Sequence, residues 1–105
     1  MTSRIELFKQ MLANDPANTA VMFGLAKELE KAGDDQQLIE TLNSYLGAAE
    51  DEGNAFGMLA SAYERLGKRE EAKQAYERGI ETATRHGHPG MAEEYRMTLK
   101  SNYEY

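Results

Sequence analysis

The sequence predicts an all-α domain built from helical hairpins that recur at a fixed interval. Three observations carry that expectation. Strong helix formers (Ala, Leu, Glu, Lys, Gln, Met) dominate the 105 residues, β-branched residues are sparse, and only two prolines occur, Pro16 and Pro89. Apolar residues recur at helical spacing in runs that glycines cut apart, at Gly33, Gly53, Gly67 and the RHGHPG segment. The pair Leu25-Ala26 returns as Leu59-Ala60, an offset of 34 residues, and its surroundings return with it.

The elements follow in order. SRIE is a capping box, in which Ser3 accepts from the amide of Glu6, so a first helix is expected from about Ser3 to Ala13. Ile5, Phe8 and Leu12 form its apolar stripe, widened by Leu7 and Met11. NDP stops it, because Pro16 cannot continue a helix and Asp15 and Asn18 are good N-caps. A second helix runs to about Ala32 with Met22, Leu25, Ala26 and Leu29 on one side. Gly33 ends it, and Asp34 or Asp35 caps a third helix carrying Leu38, Leu42 and Tyr45. A fourth and a fifth helix flank Gly67. A sixth begins near Pro89, a favourable first-turn residue, with Met91, Tyr95 and Leu99 on one side.

The 34-residue offset also pairs Met22 with Phe56, Leu29 with Tyr63, Gly33 with Gly67, Leu38 with Ala72, and Leu42 with Tyr76. A helix–turn–helix in each 34-residue unit resembles the tetratricopeptide repeat family. Phe56, Leu59, Ala60, Tyr63, Ala72 and Tyr76 stand in the order of that family's pattern, with small Gly79 after them. The earlier unit is degenerate: Leu38 and Tyr45 stand where small residues are usual, which points to a wider local helix crossing. Small Ala26 and Ala60 let paired helices approach closely. The resemblance implies one domain divided into a half repeat (1–17), repeats at 18–51 and 52–85, and a capping helix (86–105), in which bulky Arg96 sits at a small-residue position. It also implies a right-handed helix-turn-helix solenoid of about six helices, each hairpin covering the apolar face of the next.

In the resembled family the first helix of each hairpin lines a concave groove where partner peptides lie. Carried onto this sequence, that face holds Ala20, Phe23, Lys27 and Lys31 in one unit. In the next it holds Asn54, Gly57, Ser61 and Arg65, with Met58 beside them. Phe23 and Met58 are expected to form an apolar floor, with Lys27, Lys31 and Arg65 as a basic rim suited to a protein or peptide with apolar anchors. Phe23 tucked under the first helix is the structural alternative. Some family members clamp a partner's C-terminal carboxylate with Lys and Asn. The corresponding places hold Phe23, Lys27 and Met58, so that activity is not expected here.

Composition bounds the rest. A chain of this length is one domain able to bury roughly two-thirds of its unfolded surface. The net charge is −6, with 18 acidic against 12 basic residues. The bases are interspersed with acids, as in ERLGKREEAK, so neither nucleic acid nor an anionic membrane surface is the expected partner. The charges of ERLGKREE read as solvated helix surface. With no cysteine, disulfides and thiolate metal sites are excluded. No bilayer-length apolar stretch and no signal-like leader is present, so a cytoplasmic protein is expected.

Catalytic signals are weak. His86 and His88 lie in a turn without a third metal ligand in the sequence, whereas stable sites use three or four. Glu70-Glu71 and Glu93-Glu94 fall in early helical turns, where acids favour the helix dipole. Ser61 has no activating histidine by sequence. No enzyme, metal or cofactor is expected. The alternatives are a homodimer through the apolar face of the first helix and, behind it, a metal or enzymatic role for the His86–His88 loop.

Overall fold

The computed structural model describes residues 3–103, and among these residues there are six α-helices and no strand. They are α1 (Arg4–Asn14), α2 (Thr19–Ala32), α3 (Asp35–Ala48), α4 (Asn54–Arg65), α5 (Arg69–Arg85) and α6 (Pro89–Asn102). The chain divides into two compact units, Met1–Glu50 with α1 to α3 and Asp51–Tyr105 with α4 to α6.

In the first unit α1 packs on α2 and α2 on α3. The side chains of Ser3, Asn18 and Asp34 cap the three helices, each accepting at 3.1 Å from the amide three residues on. Leu25, Ala26, Leu29, Leu38 and Leu42 form the core, with Ala26, Leu38 and Leu42 wholly inaccessible. Each such leucine contributes on the order of 1.5–3 kcal/mol by leaving water. Leu38, bulky where the repeat pattern has a small residue, is therefore fully accommodated. No residue of α1 is buried. Its Phe8 ring lies over Gly24 of α2, where an added Cβ would stand 3.1 Å from Cζ. Arg4 also reaches Glu28 at 3.0 Å. Ile5, Phe8 and Leu12 are half-buried as the stripe predicts, but Leu7 (49%) and Met11 (42%) remain exposed. The packed stripe of α1 is narrower than its apolar arc.

In the second unit α5 packs against both α4 and α6. Phe56, Leu59, Ala60, Ala72, Tyr76, Ala83, Ala92 and Leu99 are buried. Both hairpins turn by the same device. Gly33 and Gly67 take left-handed φ of 75° and 73°, which only glycine adopts without strain. The next amide then bonds back five residues, Asp34 to Leu29 at 3.1 Å and Lys68 to Tyr63 at 2.8 Å. The two turns stand 34 residues apart, as the sequence period requires.

Candidate functional site

On α2, Phe23 meets α3. Its ring is half-buried and packs on Tyr45 of α3, centroids 5.1 Å apart and tilted by 44°. The Lys27 ammonium, one turn on, stands over the same ring at 5.4 Å from its centroid. Ala20 is exposed a turn earlier. Lys31 is exposed a turn later, where it pairs with Glu28 at 3.2 Å, the carboxylate that also holds Arg4. The fold thus brings Phe23, Lys27 and Tyr45 together, while Lys31 is turned to Glu28.

On α4, Asn54 and Arg65 are exposed and Met58 and Ser61 half-buried. Between them lies Gly57, the 34-residue counterpart of Phe23. A Cβ on Gly57 would come within 2.6 Å of the Tyr95 hydroxyl and 3.0–3.1 Å of its ring. The counterpart of Tyr45 is Gly79 on α5, where a Cβ would meet the Tyr95 ring at 2.8 Å and the Phe56 Cβ at 3.0 Å. The same notch is therefore filled in two ways. In the first unit two rings of the hairpin itself, Phe23 and Tyr45, occupy it. In the second, two glycines vacate it and a ring from α6 enters. Tyr95 is fixed there by donating to the Gly53 carbonyl at 2.8 Å and by a tilted contact with Tyr76 at 5.7 Å. Sequence reasoning singled out Tyr45 for its size but not as the partner of Phe23. Its signal was the paired exchange of two aromatics for two glycines at the same offset.

The far end of the second unit carries a cluster that sequence reasoning took for solvated surface. Glu64 accepts from two tyrosine hydroxyls, Tyr76 at 3.0 Å on one oxygen and Tyr103 at 2.8 Å on the other. The Arg69 guanidinium lies 4.3 Å from the Tyr103 ring centroid and donates to the Asn102 carbonyl. Two charges of ERLGKREE therefore pin the end of α6 to the α4–α5 turn. Burial, with the Glu64 carboxylate second, pushes the Tyr76 and Tyr103 phenols up to about 12. For Tyr76 the Ser61 hydroxyl works in the opposite direction, which places that serine beside a tyrosine. Glu64, Gly67, Arg69, Ser101, Asn102 and Tyr103 border an open cleft of about 650 Å³. Ile80 and Leu99, with Glu77, Arg96 and Lys100, line a second cleft of about 460 Å³ between α5 and α6.

His88 stands just ahead of the first turn of α6 and bonds Glu52, whose carboxyl is held below its usual range by that hydrogen bond and by the imidazole's charge. Among the described residues no three His, Cys, Asp or Glu side chains converge where a metal could sit. Among the same residues no helix is long and apolar enough to cross a membrane.

Comparison with known proteins agrees with this architecture. Residues 53–86, which hold α4, α5 and their turn, match the tetratricopeptide repeat family. TPR repeat-containing protein PA0015 of Pseudomonas aeruginosa is 30% identical over 96 residues, an alignment covering 91% of each chain.

Proposed function

The chain belongs to the tetratricopeptide repeat family, whose repeats are in general protein–protein interaction modules, and from that premise we propose that it is a non-enzymatic scaffold binding a protein or peptide segment. Its working faces are those of the first helix in each hairpin, with Ala20, Phe23, Lys27 and Lys31 on α2 and Asn54, Met58, Ser61 and Arg65 on α4. One observation carries this reading. Phe23 and Tyr45 present a tilted aromatic pair with the Lys27 ammonium over it, half-buried yet reachable from solvent. Aromatic rings beside a cation form the kind of anchor around which peptide-binding hot spots are built. The pair is already fixed by packing, so binding costs little ordering of these side chains. An apolar or aromatic anchor residue with a neighbouring carboxylate is the matching ligand chemistry.

The acidic balance of the chain supports a protein partner over nucleic acid or an anionic membrane, and the cytoplasm is the compartment that suits a cysteine-free scaffold. Affinity capture from the native host, compared between the wild type and Phe23→Asp plus Met58→Asp, tests the assignment. Specific partners are expected to be lost while the circular dichroism spectrum is kept. Full retention of every captured protein by the variant refutes the face.

A second reading has one observation in its favour: Leu7 and Met11 stand exposed one helical turn apart on α1, as a homodimer through that helix requires. Light scattering separates the two, because a strictly monomeric wild type eliminates the dimer.

A further inference from the structure

The three residues ahead of α4, Asp51, Glu52 and Gly53, form a strap that α6 closes over. Asp51 supplies the cap that Gly53 cannot, its Oδ2 accepting from the amides of Gly53 at 2.8 Å and Ala55 at 3.0 Å. Gly53 is buried with φ of 129°, and a Cβ there would stand 2.7 Å from the Met91 sulfur and 3.2 Å from the Ala83 Cβ. Its carbonyl accepts from the Tyr95 hydroxyl. Between these two fixed residues Glu52 turns outward and meets Nε2 of His88, the residue that precedes the first turn of α6. Of these three contacts, the Glu52–His88 one alone includes an imidazole.

We propose that the Glu52–His88 pair is a proton-operated latch on the strap that begins α4. With His88 as imidazolium the contact is a charge-assisted hydrogen bond; with the neutral ring a weaker bond is left. The groups around it fit that role. Asp51 on the strap is engaged with two amides. His86, in the turn between α5 and α6, adds only a minor attraction on Glu52. Glu94 on α6 and Asp51 act on the Tyr95 hydroxyl. Glu52 itself is held below its usual range, with the His88 bond the largest cause, so it stays ionised throughout the interval in which an imidazole titrates, ordinarily near pH 6.5. The sign follows: the latch is strongest while His88 is imidazolium and loosens as rising pH takes the ring's proton.

The test is nuclear magnetic resonance on the whole chain. In the wild type the amide shifts of Gly53 and Ala55 are expected to move with the same midpoint as the His88 ring protons. Their exchange protection, corrected for intrinsic chemistry, is expected to be about two- to five-fold lower at pH 8 than at pH 6, the range set by an exposed ion pair. Glu52→Gln removes the response and leaves the fold, monitored by circular dichroism. His86→Gln keeps the response. Strap amides that stay flat through the His88 titration overturn the latch. So does a response that survives Glu52→Gln, or one that vanishes with His86→Gln.

Discussion

Gly79→Ala is the sharpest probe of the notch that Tyr95 fills. Within a helix, alanine in place of glycine is ordinarily favourable by about 0.5–1 kcal/mol. Gly79 lies in the middle of α5 and is buried, and its added Cβ would stand 2.8 Å from Tyr95 Cε2 and 3.0 Å from both Tyr95 Cδ2 and Phe56 Cβ. Neither neighbour gives easily. The Phe56 Cβ is fixed to the backbone of α4, and Tyr95 is a rigid ring tethered at its hydroxyl to Gly53. Overpacking of this kind costs typically about 1–3 kcal/mol, and two immovable contacts place the site in the upper part of that range. Subtracting the helical gain leaves a net loss of about 1–2 kcal/mol, or roughly 5–10 °C in Tm for a domain of this size. Gly47→Ala is the internal control, since Gly47 is exposed in the last turn of α3 with nothing within 4 Å of its Cβ position. It is expected to gain about 0.5 kcal/mol. In a Tyr95→Leu background the Gly79→Ala penalty should shrink by about 1 kcal/mol or more, because the ring is gone. Urea unfolding followed by circular dichroism measures all five proteins: the wild type, the three single variants and the Tyr95→Leu plus Gly79→Ala double variant. A Gly79→Ala variant that unfolds at or above the wild-type midpoint refutes the account of the notch.

Two further outcomes follow from the second unit. Asp51→Ala, which strips the side-chain cap from α4, should lower unfolding stability by about 1 kcal/mol in the same assay, and Asp51→Asn should recover part of it. Ultraviolet titration should show two of the six tyrosines ionising near pH 12, and Glu64→Gln should bring both toward the usual value near 10. Both phenols are raised in the folded state, so their contribution to stability is complete below about pH 10 and is lost as pH climbs through about 12.

Much of the architecture was legible before any coordinates. Ser3, Asn18 and Asp34 are short-range acceptors whose targets lie three residues away, so helix starts are written locally. Gly33 and Gly67 mark turns for the same reason, and their spacing exposes the repeat. The candidate site was legible only in part. Phe23 stood out as an aromatic outside the repeat's packing positions, and Lys27 stands over its ring one turn on, as helical spacing places it. That Tyr45 is its partner depends on where α3 lies against α2. ERLGKREE is exposed as read, and the partners that reading left out have a similar cause. Glu64 and Arg69 lie on a helix surface by periodicity, and periodicity says nothing of Tyr103, which reaches them from 39 and 34 residues along the chain.

The sequence by itself determined what is local: the helices, their caps, the glycine turns, the 34-residue period and so the family. Those features depend on interactions within a few residues, where backbone sterics and capping leave few choices. Only the tertiary structure decided what fills each notch, two rings of one hairpin over α2 and a single ring of α6 over Gly57 and Gly79. Periodicity tells which side of a helix is apolar or small. Which neighbour comes to cover it is settled by close packing among elements far apart in the chain.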